Sequence, residues 1–272
     1  MTGSVEAAFR VCDVSYRYQQ VPALNGLSMQ VAQGERVALL GANGSGKSTL
    51  LRLLAGLSFP ERGDISFFGE PVTELNLQDE AFFFSFRRRV GLVFQNPDVQ
   101  LFNPSVFDEI AFGPLQLRWP KEQIRERVER ALGSMGIAHL RDRAPHRLSS
   151  GEKKRVALAS VLVTDPEVLL LDEPSAALDP LSQSQIVSLL QSWKNGAKTV
   201  ITATHDLDTL EDIADRCYVF QAGKIAGEGT PLQVLHDVAL LERTGLVRVH
   251  EHVHETDDAT HPHPHLHRHD TH

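Results

Sequence analysis

The chain is poor in cysteine, with Cys12 and Cys217 the only two in 272 residues. Two cysteines give neither a disulfide framework nor the ligand spacing of a zinc site, and a reducing cytoplasm suits them. Long apolar runs are missing too. No stretch approaches the roughly 18 apolar residues that a membrane-crossing helix needs. The opening MTGSVEAAFR lacks the apolar segment of a secretory signal. Any work at a membrane is therefore expected to pass through a partner. A long basic block is also absent from the sequence, and the formal charge is −8. From His250 to His272 five acids stand against Arg268, a net of −4, which leaves −4 on the body. That excludes a dedicated nucleic-acid binder, whose affinity rests on neutralising phosphates. The short clusters Arg87-Arg88-Arg89 and Lys153-Lys154-Arg155 read as solvated faces. What the chain does have is 42% hydrophobic residues. At this length that is enough to bury roughly 70–75% of the unfolded surface without metals or disulfides.

Strand-like runs at Phe9 to Ser15 and Leu27 to Val31 come first, with no helix between them. They predict a separate antiparallel layer. Glu35 to Leu40 ends abruptly in glycine, serine and lysine, and Thr49 to Ala55 reads as a helix closed by Gly56. Ile65 to Phe68 and Val90 to Phe94 read as further strands. Pro97 to Leu148 is mostly helical, and Pro120 opens a helix whose Ile124, Val128, Ala131, Leu132 and Met135 form one stripe before Gly136. Buried-strand runs return at Val168 to Leu171, Thr199 to Ala203 and Cys217 to Phe220, with helical stretches between. Such alternation predicts an α/β fold with a mainly parallel sheet covered on both faces.

Gly41-Ala42-Asn43-Gly44-Ser45-Gly46-Lys47-Ser48-Thr49 matches G-x-x-x-x-G-K-[ST] between a strand and a helix. Glycines let successive N–H groups turn inward around phosphate oxygens, and the helix N-terminus adds partial positive charge. Lys47 is placed to reach the β- and γ-phosphates and the Ser48 hydroxyl to ligate Mg²⁺. At the end of the apolar run Val168 to Leu171 stand Asp172 and Glu173. Ligands of open α/β sheets bind at such strand ends. Asp172 is expected to hold Mg²⁺ and Glu173 to polarise the attacking water.

Leu148-Ser149-Ser150-Gly151-Glu152-Lys153-Lys154-Arg155 closely resembles the signature of ATP-binding-cassette (ABC) ATPases, with Ser150 and Glu152 where the commonest form has glycine and glutamine. The resemblance covers nearly all of residues 5 to 243. It implies a P-loop NTPase of ABC type, with a mainly parallel sheet core, an antiparallel β layer and an inserted helical subdomain at about 97–160. The ATPase domain would span 1–245. By the same resemblance an aromatic at the end of the first strand stacks on adenine. Tyr16 and Tyr18 share a face there, so periodicity does not choose; the family position favours Tyr18. Gln95 in Val93-Phe94-Gln95-Asn96-Pro97 resembles the glutamine that senses Mg²⁺ and the attacking water, and joins the core to the helical region. Ser175 to Asp179 resembles the loop through which two protomers communicate, and His205 the switch histidine on the γ-phosphate. Ser149 and the Gly151 N–H would grip the γ-phosphate held by a second protomer, identical or paralogous, so that ATP acts as adhesive between the two.

Gln95 to Phe102, with Phe112-Gly113-Pro114, is similar to the energy-coupling-factor branch and, more narrowly, to ATPase subunits of cobalt and nickel importers. These act with integral membrane subunits and place the ATPase at the cytoplasmic face. Vitamin or zinc import is the alternative cargo. A soluble ABC protein acting on DNA or ribosomes would need long coiled-coil insertions or two cassettes, and neither is visible. After about Thr244 the chain turns acidic and histidine-rich, with His261, His263, His265, His267 and His269 alternating. Residues 246–272 are expected to be disordered. Imidazoles suit Ni²⁺, Co²⁺, Zn²⁺ and Cu²⁺. Metal buffering, a passive solvated tail and a cloning artefact all remain open for that tail.

Overall fold

The computed structural model describes residues 6–176, 178–196, 198–251 and 264–267, with 248–251 and 264–267 as backbone alone. β1 (Ala7–Tyr18) and β2 (Val21–Ala32) form a long hairpin, and β3 (Arg36–Leu40) leads through a glycine loop into α1 (Lys47–Leu54). β4 (Arg62–Phe67) and β5 (Glu70–Pro71) precede α2 (Glu74–Gln78), α3 (Glu80–Arg89) and β6 (Val90–Val93). α4 (Val106–Gln116), α5 (Lys121–Ser134) and α6 (Ser150–Leu162) follow, then β7 (Val168–Asp172), α7 (Pro180–Gln191) and β8 (Thr199–Thr204). α8 (Leu210–Ile213), β9 (Arg216–Gln221), β10 (Lys224–Gly229), α9 (Pro231–His236) and α10 (Val238–Arg243) complete the body. Beyond it the backbones of β11 (Arg248–Glu251) and β12 (Pro264–His267) pair antiparallel.

Two larger sheets result. One is antiparallel, in the order β2-β1-β4-β5; the other runs β10-β9-β3-β8-β7-β6, parallel except for β10. The central strands β3, β7 and β8 are buried along their whole length. Period-two alternation then feeds two cores at once. Val37, Leu39, Val168, Leu170 and Ile201 pack with α1 and the antiparallel sheet. Ala38, Leu40, Leu169, Leu171 and Val200 pack with α7, α8, α9 and α10. A third core joins Val106 and Ile110 of α4, Ile124, Val128 and Leu132 of α5, and Val156 and Ala159 of α6. α6 also lends Ala157 and Leu158 to the second core, so it belongs to both the sheet and the helical region.

The α/β architecture agrees with the sequence expectation, and four local expectations are corrected. The first helix begins at Lys47 rather than Thr49, because Gly46, at φ 111°, turns the chain into it. Helices α2 and α3 occupy a stretch with no expected helix; Thr73 and Asp79 cap them through hydrogen bonds from Asn76 N–H and Phe82 N–H. The basic clusters are not simply solvated. Arg87 donates to the Ala55 and Gly56 carbonyls, Arg89 pairs twice with Glu167, and Lys154 is buried. Finally, Leu246 and Val247 lie in the second core, so packing runs past residue 245; the backbone at 248–251 pairs with that at 264–267, and the rest of the tail expected to be disordered lies outside the described residues.

Candidate active site

The parallel register brings three strand ends to one edge. Leu40 stands beside Thr204, and Asp172 beside Ala203. The residues that follow (Gly41, Glu173 and His205) therefore converge at the C-terminal edge of the sheet, where open α/β sheets bind ligands.

The loop from Gly41 to Gly46 is built for close approach. A Cβ on Gly41, at φ 153°, would lie 2.6 Å from Ser45 Oγ and 2.7 Å from the Phe220 carbonyl oxygen. A Cβ on Gly46 would meet the Ala23 carbonyl oxygen at 2.7 Å. α1 has no side-chain cap at its N-terminus, which leaves its first N–H groups for an anion. Ser45 Oγ is buried and has no hydrogen-bond partner among the described residues. Asn43 and Gly44 lie exposed at the mouth of the loop, and Thr49 is buried in the first turn of α1. Lys47 is 5% exposed, and its Nζ donates to the Gly41 carbonyl at 2.6 Å and the Ala42 carbonyl at 3.2 Å. Burial lowers its pKa, against the opposing pull of Glu173 and Asp172. The loop thus holds a buried cation, uncapped N–H donors and an unpaired hydroxyl around one concavity, which is a fit for polyphosphate.

The chain of contacts continues outward from the loop. Ser48 Oγ donates to Asp172 Oδ1 at 3.0 Å. Burial raises the Asp172 pKa, and the Ser48 hydrogen bond opposes it. Two hard oxygen donors at this spacing fit a Mg²⁺ ion. Glu173 is 4% exposed and sits at φ 46°, in the left-handed region. Its N–H donates to the Ala203 carbonyl at 2.9 Å, and its Oε1 lies 2.8 Å from His205 Nδ1. Lys47, Ser48, Asp172, Glu173 and His205 are therefore assembled within one chain.

Other residues stand apart from that cluster. Gln95 lies just beyond β6 with its side chain exposed, and its carbonyl accepts from Lys154 Nζ at 2.9 Å. Tyr18 is exposed at the end of β1, its ring edge-on to Tyr16 at 5.0 Å, while Tyr16 packs on the core. Ser149 caps α6 in a reciprocal box: its Oγ accepts from Glu152 N–H, and Glu152 Oε2 accepts from Ser149 N–H at 2.7 Å. Glu152, the departure from the commonest signature, thus has a local structural reason. A Cβ on Gly151 would meet Ser182 Oγ at 2.8 Å and Asp179 Oδ2 at 3.5 Å. Asp179 caps α7, and the Ser182 hydrogen bonds hold its carboxyl below the usual range. Among the described residues neither Ser149 nor Gly151 bonds to the phosphate loop. The candidate metal-binding residues His261, His263 and His269 lie outside the described residues, and His265 and His267 are described by backbone alone.

Two polar residues escaped the sequence analysis. Lys154 donates to the carbonyls of both Gln95 and Glu173. Its spacing of three and four residues from Ala157 and Leu158, on the apolar face of α6, was the available signal. Gln100 links Phe94 N–H to the Ala157 carbonyl and Ser160 Oγ, a role that its place within the Gln95–Phe102 motif does not by itself reveal.

Comparison with known proteins agrees with this architecture. The ABC transporter family model matches residues 24–176. The chain is 59% identical over 243 residues to the nickel import ATP-binding protein NikO of Rhodobacter capsulatus, covering 88% of this chain and 96% of that protein. It is 43% identical to the energy-coupling factor transporter ATP-binding protein EcfA of Methanothermobacter thermautotrophicus, covering 86% of this chain and 74% of the relative. Among solved structures it is similar to cbiO1 of Clostridium perfringens, part of the ABC transporter complex cbiONQ, with a TM-score of 0.74 and 39% identity over 89% of this chain and 95% of that one. The chain belongs to the ABC transporter family, in its energy-coupling-factor branch, and is an ATPase.

Proposed function

We propose that this ATPase powers import of a divalent transition metal, nickel or cobalt, through separate membrane subunits. The observation that carries the catalytic half is the unbroken series of contacts from the phosphate loop through Ser48, Asp172 and Glu173 to His205. In this reading the loop N–H groups and Lys47 hold the β- and γ-phosphates, and Tyr18 stacks on adenine. Ser48 and Asp172 hold Mg²⁺, with Gln95 completing its surroundings; bound there, the ion neutralises phosphate charge. Glu173 accepts a proton from water as its oxygen attacks the γ-phosphorus, the bond to the β-phosphate oxygen breaks, and ADP leaves. His205, oriented by Glu173, steadies the γ-phosphate.

Among the described residues neither Ser149 nor Gly151 bonds to the phosphate loop of its own chain, which supports a second protomer. ATPases of this family dimerise and pair with membrane subunits. ATP bound between two copies, with α6 of one capping the phosphate of the other, favours the closed pair, and hydrolysis removes that preference. Val99, Phe102 and Leu115 are more than half exposed at the surface beyond Gln95, and Phe102 packs edge-on to Phe112 at 4.9 Å. Exposed apolar side chains on this segment support docking of a membrane subunit there. Among the described residues no helix is long and apolar enough to cross a membrane, so attachment to the cytoplasmic face would run through that partner.

Cargo rests on the names of the relatives and on the tail, whose alternating imidazoles suit Ni²⁺ and Co²⁺. The deciding experiment is reconstitution with the membrane subunits in liposomes, offering Ni²⁺, Co²⁺, Zn²⁺ and vitamins in parallel. Accumulation of Ni²⁺ or Co²⁺ that needs Mg-ATP is the expected result. Accumulation of a vitamin or Zn²⁺ instead would transfer the same ATPase to another cargo.

A further inference from the structure

A lysine ammonium has three N–H donors and no acceptor. Lys154 is 3% exposed, and its ammonium gives two bonds to main-chain carbonyls, at 2.7 Å to Glu173 and 2.9 Å to Gln95. Burial lowers its pKa to about 8, although Glu173 and Asp172 pull the other way. A cation held at such a cost invites a mechanical explanation, and its neighbours supply one.

The segment that carries Gln95 is fastened to α6 at two further points. Gln100 accepts from Phe94 N–H at 3.2 Å and donates to the Ala157 carbonyl at 3.0 Å and to Ser160 Oγ at 3.1 Å. Lys153 pairs with Asp98 at 2.7 Å. Residues 94–100 therefore travel with the signature helix. Glu173 belongs instead to the sheet, its N–H bonded to the Ala203 carbonyl of β8 at 2.9 Å. Lys154 joins the Gln95 segment to the Glu173 peptide with a single charged head.

We propose that Lys154 is a positioning residue for hydrolysis, transmitting the seating of the signature helix to the Glu173 peptide and to Gln95. Glu173 sits at φ 46°, a conformation that needs its peptide anchored on both sides. The Ala203 bond anchors the N–H, and Lys154 anchors the carbonyl. Without Lys154 the peptide is free to relax and to carry the carboxylate away from His205. The signature helix that closes over a partner's nucleotide thereby sets the carboxylate of its own chain. The inference rests on the catalytic role proposed above for Glu173.

The test uses the chain assembled with its membrane subunits. Lys154→Met keeps the apolar stem and removes the donors, whereas Lys154→Gln retains one donor group on a shorter arm. A displacement of about 1 Å at a reacting group costs about 10²-fold, so Lys154→Met should lower kcat by about 10- to 100-fold while KM for ATP stays within about threefold. Binding of a fluorescent ATP analogue should be retained, and Lys154→Gln should fall between Met and wild type. Wild-type kcat in Lys154→Met, or a loss confined to KM, overturns the positioning role. If Lys154→Met melts before assay, Lys154→Gln is judged by the same kcat-against-KM criterion. Glu173→Gln run in parallel separates the levels. Normal turnover in that variant removes the catalytic reading itself, whereas its inactivity beside a fully active Lys154→Met removes only the positioning role.

Discussion

Glu173 holds a left-handed backbone that costs a non-glycine residue about 1–2 kcal/mol. The position keeps it because the turn after β7 aims the carboxylate at His205. Glu173→Gln leaves the backbone anchors in place while removing the proton acceptor. It should therefore bind ATP normally and accumulate as a nucleotide-trapped dimer, with turnover down at least about 100-fold, the usual reach of general-base catalysis. Steady-state hydrolysis beside size-exclusion chromatography in Mg-ATP checks it, and normal turnover rejects the role. Lys47→Ala acts earlier, because it removes the buried cation from the phosphate loop. Charged hydrogen bonds contribute about 1.5–3 kcal/mol, so its Kd for ATP should rise about 10- to 100-fold in equilibrium dialysis. A purely structural charge pair behaves differently. Arg36 is 1% exposed and is held by both Asp215 oxygens and the Asp212 carbonyl. Partial burial raises the Asp215 pKa, but the Arg36 hydrogen bonds and charge outweigh it and leave the carboxyl below its ordinary value. Its contribution is thus complete above the ordinary carboxylate pKa and fades as pH falls through the lowered one. The Asp215 carboxylate is half-exposed, so water screens part of the loss, and Asp215→Asn should cost about 1–2 kcal/mol in urea unfolding at pH 7, with the gap to wild type closing in acid.

Among elements, the strands and the phosphate loop were the most legible in the sequence. β3, β7 and β8 are short apolar runs with abrupt polar ends, and burial on both faces produces that pattern directly. α3 was not legible, because Phe82, Phe83, Phe84 and Phe86 crowd both faces and hide any 3.6-residue stripe. Its arginine ties become visible only once Ala55, Gly56 and Glu167 are in place. Lys154 was obscured differently: its two basic neighbours made the trio resemble a wet surface, whereas the helix turns the middle one inward. The start of α6 is a case where a sequence oddity acquires a reason. Glu152 accepts from Ser149 N–H, and that bond holds its carboxyl below the ordinary pKa. Glutamine closes the same box and alanine does not. Glu152→Gln should therefore stay closer to wild type in thermal melting than Glu152→Ala, which should lose about 0.5–1 kcal/mol, within the range of other cap deletions. Equal melting of all three would remove the box as a stabiliser.

At the scale of the whole molecule, the sheet edge gathers Lys47, Ser48, Asp172, Glu173 and His205, and on the proposed reading α6 would supply the complementary half to a second copy. The half-site was legible because local motifs carry it. Its completion was legible only through family resemblance, since no single chain contains the contact. The C-terminal region tests how far the molecule divides into independent parts. Leu246 and Val247 lie in the second core, so a chain ending after Val247 keeps all the core residues identified among the described residues. Residues 250–272 contribute −4 of the −8 charge and nine of the 13 histidines. On the proposed reading, neutral imidazoles on a chain segment of that composition would form several partial ligand sets, and multivalency would raise the retained metal. Deleting 248–272 should leave ATP hydrolysis by the assembled complex within about twofold, because surface changes away from a site seldom alter its energetics by more than about 0.5 kcal/mol. Ni²⁺ binding in calorimetry should largely disappear. In the full chain it should weaken as pH falls from 7.5 to 5.5, because protonation near the ordinary histidine pKa of about 6.5 removes the ligand lone pair. Undiminished Ni²⁺ binding after the deletion would return the tail to a passive, solvating role and place any metal contact of this chain within the ATPase body.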